Sequence, residues 1–251
     1  MNKKVPIIII IILFIVGIVL FFILKDTKKE VIENDDGYLV IGNESIWKSK
    51  NNTWKKINYG SVNNKKMNVY IDNKYSGNYT LKYGKVWNLY DNKSLVMYEE
   101  SFVAMTQVIG DIVNTNIENI SNEDLKYINN ILKSNYNLDD ITVNEKINID
   151  LNNDGVKDVI VNVGNLNRDD LDKYFSLMYV ILDGKYEILI NENIDVKDYL
   201  NYPIYKINSL LKKKNGFINI ILHKGYFSEA GTNGNKMYEI NDGKYELIIE
   251  D

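Results

Sequence analysis

The 251-residue chain has no cysteine, which excludes thiol catalysis, disulfide stapling and Cys-ligated zinc together. Histidine occurs once, at His223, so no site with several His ligands can form and at most one His-based catalytic arrangement is open. Alanine is confined to Ala104 and Ala230 and arginine to Arg168, whereas Asn, Lys, Ile and the 19 Tyr are abundant. The enriched residues have AT-rich codons and the depleted ones GC-rich codons, which points to a low-GC bacterial genome. Runs of Asn and Lys therefore carry little functional weight by themselves. Also missing are a Ser nucleophile elbow, a phosphate-binding Gly loop and an HExxH pair. Surplus positive charge is absent too. Without residues 1–29 the balance is 25 cationic against 33 anionic side chains, the wrong sign for a partner made of phosphates. No nucleic-acid partner is expected.

What the chain does have is one long uncharged run, residues 5–24 (VPIIIIIILFIVGIVLFFIL). Twenty residues at about 1.5 Å each span about 30 Å, the thickness of a bilayer's hydrocarbon core. Lys3 and Lys4 precede the run, and Lys25, Lys28 and Lys29 follow it. No small-x-small cleavage site follows Leu24, so the run reads as an uncleaved anchor rather than a signal peptide. A tail of four residues is expected to stay inside. Residues 1–29 are thus read as cytoplasmic tail and transmembrane anchor, and the chain as a single-pass protein of the cell membrane with an extracytoplasmic C-terminal part. The anchor has no GxxxG and only Gly17 as a small residue, which gives no support for tight helix pairing.

Beyond a polar tether at residues 30–37, short strand signals follow one another: Tyr38–Ile41, Glu44–Trp47, Trp54–Ile57, Met67–Ile71, Tyr79–Tyr83, Val86–Tyr90 and Leu95–Glu99. Asn- and Asp-rich pairs that tolerate turn backbones separate them. Trp47, Trp54 and Trp87 all fall in this stretch and are expected to fill a core, an aromatic ligand platform being the competing reading. Two helices are expected next. One runs along Phe102, Met105, Ile109, Ile112 and Val113. The other begins at the capping box Ser121-Asn-Glu-Asp124 and carries Leu125, Ile128, Ile131 and Leu132 at helical spacing, fading by Asn135–Asn137. The organisation expected is a β-rich module at 30–100, a helical connector at 101–145 and a tandem β-repeat module at 146–251. The fold class is mainly β (α+β). The repeat rests on two segments 59 residues apart, MYVILDGKYEILI at 178–190 and MYEINDGKYELII at 237–249. Each reads as a hairpin with a type I′ turn, at Asp183–Gly184 and Asp242–Gly243. The segments before them align more weakly, giving a unit of about 60 residues present twice.

The most specific motif is Asp150-Leu-Asn-Asn-Asp-Gly-Val-Lys-Asp158. Side-chain oxygens fall at loop positions one, three, five and nine, on Asp150, Asn152, Asp154 and Asp158. Gly155 stands at position six, where the chain must turn sharply, and Val156 offers its carbonyl at seven. This spacing wraps a chain around Ca²⁺, a hard ion that takes about six to eight oxygens. Position twelve is Val161 where an EF-hand has a bidentate Glu, and the flanks alternate like strands, so an EF-hand is not expected. A polar hairpin turn in an Asn-rich chain is the alternative reading of the same residues.

The motif DLNNDGVKDVIV is similar to the calcium loop of FG-GAP and VCBS-type repeats, over residues 146–251. The resemblance implies a turn between two strands of a propeller-type blade, with one Ca²⁺ held by Asp150, Asn152, Asp154, Val156 and Asp158. The second copy has Leu211, Lys213, Asn215 and Asn219 where the side-chain ligands would stand, and is expected to have lost the site. Two repeats also fall short of a closed propeller, so a sandwich-like assembly is expected.

Together these readings describe a membrane-anchored, calcium-binding, extracytoplasmic protein serving as an envelope interaction or adhesion module for another envelope protein or a glycan. A cell-wall glycan hydrolase and a sensory or accessory subunit of a membrane complex are the rivals. No catalytic residue stands out. His223 and the loop Gly225–Gly234, with Ser228, Glu229 and Thr232, are the remaining polar features, and a structural histidine and a surface loop are the simpler readings.

Overall fold

Alternating apolar residues between Asn- and Asp-rich turns pair here into three antiparallel sheets. The computed structural model describes residues 37–42, 45–51, 53–84, 87–92, 94–97, 102–165, 174–193, 203–226 and 233–251. All of them belong to one unit, 36–251. Strands account for 62% of them and helices for 10%, so the chain is mainly β. The run 5–24 lies outside the described residues. Among those that are described, no helix is long and apolar enough to cross a membrane.

Sheet I contains β1 (Gly37–Ile41), β2 (Ser45–Lys50), β3 (Thr53–Lys56), β4 (Lys66–Ile71), β5 (Lys74–Tyr83), β6 (Trp87–Asp91), β7 (Ser94–Met97) and β8 (Val103–Met105), in the order β3-β2-β1-β8-β4-β5-β6-β7. After β9 (Gly110–Ile112), sheet II is the meander β10 (Val143–Ile149), β11 (Asp158–Asn165), β12 (Phe175–Leu182) and β13 (Lys185–Asn193). Sheet III is a second meander, β14 (Pro203–Lys213), β15 (Ile218–Tyr226), β16 (Gly234–Asn241) and β17 (Lys244–Glu250), with β9 added beside β14. Each of the seven strand segments expected between 38 and 99 overlaps a strand of sheet I among the described residues.

The helix expected along Phe102–Val113 is not formed, and the segment supplies β8 and β9 instead. β8 pairs with β1 on one side and β4 on the other, at the centre of sheet I. Val103 and Met105 enter one core while Phe102 and Ala104 enter the other, so both faces are apolar and periodicity could not separate strand from helix. Gly110 has φ +146°, and a Cβ there would lie 2.0 Å from the Lys212 carbonyl oxygen. Only glycine lets β9 approach β14 this closely. The start of the segment read as a connector thus supplies both sheets: β8 completes the first and β9 the third.

The second helix is present. α1 (Asn122–Leu132) starts where Ser121 Oγ accepts the Asp124 N–H at 3.2 Å and the Asp124 carboxylate accepts the Ser121 N–H at 2.8 Å. Asp thus closes the capping box as Glu would. Burial raises the Asp124 pKa, but Lys146 Nζ at 2.7 Å and the Ser121 N–H outweigh it and hold the carboxyl below its ordinary value.

Strands with two apolar faces dictate a stack, because each face must meet another layer. Sheet III lies in the middle. Its Leu211, Ile221 and Met237 pack on Leu39, Trp47 and Met105 of sheet I. Its Leu210, Ile220 and Tyr238 pack on Ile160, Met178 and Val180 of sheet II. α1 covers the outer face of sheet II with Leu125, Ile128 and Leu132. On the outer face of sheet I, Tyr59 stacks on Tyr83 at 4.2 Å, and both rings pack against Trp87. Trp47 and Trp87 are fully buried and Trp54 is half-buried against the core between sheets I and III. The tryptophans are core residues.

Candidate functional site

In an antiparallel meander the first and third connections lie at the same end, and two meanders packed face to face bring four such connections together. These are the loop 150–157, the turn Asp183–Gly184, the loop 214–217 and the turn Asp242–Gly243. The two turns are alike in detail. Asp183 and Gly184 have φ +52° and +73°, and Asp242 and Gly243 have +48° and +75°. Both hairpins also carry a bulge at the same place, after Met178 opposite Ile190 and after Met237 opposite Ile249. Asp183 and Lys185 of the first turn and Asp242, Gly243 and Lys244 of the second line a shallow cleft of about 410 Å³ together with Glu187, so it carries both carboxylates and ammonium groups. Glu187 reaches across to accept the Tyr245 N–H at 3.0 Å.

The loop 150–157 joins β10 to β11 and is folded on its own carboxylates. Asp150 accepts the N–H groups of Asp154 at 3.1 Å and Gly155 at 2.8 Å. Asp154 accepts the Val156 N–H at 2.7 Å, the main cause of its carboxyl lying below the ordinary range, with Asn152 adding to it. Asp158, only 3% exposed, accepts the Leu151 N–H at 2.9 Å and the Asp183 N–H at 3.1 Å. Asn152 Nδ2 donates to Asp183 at 2.9 Å and to Asp154 at 3.3 Å. The five positions read from the sequence, Asp150, Asn152, Asp154, Val156 and Asp158, therefore share one loop, and a fourth carboxylate, Asp183, joins them from the next hairpin.

The donor chemistry of this loop fits a hard cation. Each carboxylate oxygen has two lone pairs, so an oxygen that accepts an N–H keeps capacity for a metal. Among the described residues, none of these aspartates forms an ion pair with Lys or Arg. Equally, among the described residues no three Asp, Glu or His side chains are gathered around one point where they could hold a metal ion. The loop here is closed by N–H donors.

The corresponding loop of sheet III is built differently. Leu211 is buried core, and Lys213 pairs with Glu239. Asn219 is fully buried, with Nδ2 3.4 Å from Glu239. Asn215 only accepts the N–H of Phe217 at 3.1 Å. A tethered ammonium occupies the region and no set of acidic oxygens remains. The two loops nevertheless touch: Leu151 O accepts the Ile218 N–H at 2.9 Å, and Asn153 rests on Gly216. Neither contact was read from the sequence, where Asp183 stood only as a turn residue, although the parity of the meander connections would have placed all four turns at one end.

His223 is half-buried on β15, away from this end of the sheets. Ser228, Glu229 and Thr232 lie outside the described residues. No protein-family model matches the chain, and no curated protein or solved structure is similar enough to carry an inference.

Proposed function

We propose that the chain is a membrane-anchored extracytoplasmic protein whose stacked β-sheets hold one Ca²⁺ at Asp150, Asn152, Asp154, Val156 and Asp158, and that it works as an envelope interaction or adhesion module. The observation that carries the reading is the single loop into which three aspartates, an amide oxygen and a backbone carbonyl are drawn at the spacing of a calcium turn. When bound, the ion would supply charge neutralisation. The loop's own residues do the rest: Asp158 and Asp150 fix its two ends, and Leu151 seats it in the core. The resemblance to FG-GAP and VCBS-type loops, and the matched turns and bulges of two meanders, support a duplicated unit that keeps one active loop. The uncharged run 5–24 supports the anchor.

Nothing at the site favours hydrolysis over binding. The test is calorimetric titration of the full chain in detergent with Ca²⁺. One site with a dissociation constant of about 10⁻⁴–10⁻³ M is expected, as for other extracellular modules, and Asp154→Ala should remove it. No heat in the wild type up to several times the weak end of that range would refute the calcium assignment.

A further inference from the structure

We propose that loop 150–157 is a clamp between sheets II and III, so that a cation bound there is felt in the degenerate loop of the second meander; the inference rests on the calcium reading above. Three contacts carry it. Leu151, at loop position two, is fully buried in the core between the sheets, although residues 153–157 of the same loop are exposed. Its N–H is held by Asp158, a proposed ligand, and its carbonyl accepts the Ile218 N–H at the start of β15. One residue therefore links a ligand of sheet II to the backbone of sheet III. The third contact is steric. Gly216 has φ +90°, and a Cβ there would lie 2.4 Å from Asn153 Cγ, so the second loop is shaped to receive the side chain of the first. Asn153 itself has φ +61°, held within the loop that the aspartates close.

The chemistry explains the direction of the effect. Carboxylates crowded into one turn repel each other, so the loop should open more readily without a cation. Opening it pulls Leu151 and Asn153 from their seats on sheet III. With a cation bound, the openings that expose the Ile218 amide also require release of the ion. Protection of that amide should then rise by the linkage factor, about elevenfold at a Ca²⁺ concentration ten times the dissociation constant. The second loop gives up its own ligands but keeps a reading contact.

The test is hydrogen–deuterium exchange of the full chain in detergent micelles, with and without Ca²⁺. Peptides are chosen over the first loop, over the Gly216–Ile218 segment, and over β5 in sheet I as a reference. The expected result is about tenfold slower exchange at both loops and less than twofold change in β5. Slowing of the first loop alone overturns the clamp and leaves the calcium reading standing. Equal slowing in all three peptides also overturns it, because stabilisation is then global. No slowing anywhere overturns the calcium reading and the clamp with it. Asn153→Gly keeps the positive φ and removes the side chain on Gly216. It should leave the first loop's response intact and at least halve that of the second, and an unaltered second-loop response would overturn the assigned route.

Discussion

Asp154 and Asp158 stand four residues apart in the same proposed ligand set, yet the structure gives them different work, and alanine substitution should separate it. Asp158 is buried and accepts two backbone N–H groups, one of them from the fully buried Leu151. Hydrogen bonds to a charged group contribute about 1.5–3 kcal/mol each, and a buried donor left without a partner costs about 1–3 kcal/mol. Because removing a buried carboxylate also removes its own desolvation cost, the lower end applies, about 3 kcal/mol. For a unit of this size that is a fall in Tm of about 6–12 °C without metal. Asp154 is exposed and bonds an exposed N–H, so Asp154→Ala should melt within about 2 °C of wild type without Ca²⁺. Added Ca²⁺ should bring out the role of Asp154. At about 1 mM ion and a constant of about 10⁻⁴ M, linkage stabilises the wild type by about 1.4 kcal/mol, or about 3–6 °C. Asp154→Ala should show none of that shift. Calorimetric or fluorescence melting of both variants decides the matter. An Asp158→Ala protein that melts with the wild type, or an Asp154→Ala protein that keeps the Ca²⁺ shift, would refute the reasoning.

Two further outcomes follow from the packing. The Asp124 carboxyl is held below its ordinary value, so its contribution to stability is present above about pH 4 and is lost as the pH falls from there towards its lowered pKa. Melting temperatures measured between pH 6 and pH 3 should fall less steeply in Lys146→Met than in wild type. Trp47 Nε1 donates to the buried Asp251 carboxylate at 3.2 Å, whereas Trp87 Nε1 has no partner among the described residues. Trp47→Phe should therefore cost about 1–3 kcal/mol more than Trp87→Phe in denaturant titrations, and equal costs would show that the Asp251 bond contributes nothing.

The strands of sheets I to III were legible wherever one face alternated and a turn pair followed, as at Met67–Ile71 before Asp72–Asn73. β8 was not. Its residues enter two cores, and a run apolar on both faces has no period to read. The α1 capping box was legible because it is entirely local, three residues from end to end. The calcium-type spacing was visible for the same reason. Asp183, Asn153 on Gly216, and the Leu151–Ile218 bond join residues 25 to 67 positions apart, and no local pattern announces such pairings. The likeness of the two Asp-Gly-Lys turns was plain in the sequence, but that they face each other across one cleft depends on how the meanders stack.

The order of the layers bears on how the chain can be assembled as it is made. All of sheet III but β9 is synthesised last, yet the sheet lies between the other two. Residues 37–105 and 143–193 can pair their strands as they emerge, but Leu39, Trp47 and Met105 on one side and Ile160, Met178 and Val180 on the other have no partner layer until residues 203–250 arrive. Both half-finished faces are exposed for that interval, the condition under which nascent sheets aggregate. Ser45 then meets Asp251 across 206 positions, a closure that cannot form before residue 251 is in place. Such distant pairings fold slowly. Synthesis of this polypeptide must therefore pass through an open-faced intermediate, and any premature stop before β14 leaves two sticky surfaces rather than a smaller stable protein.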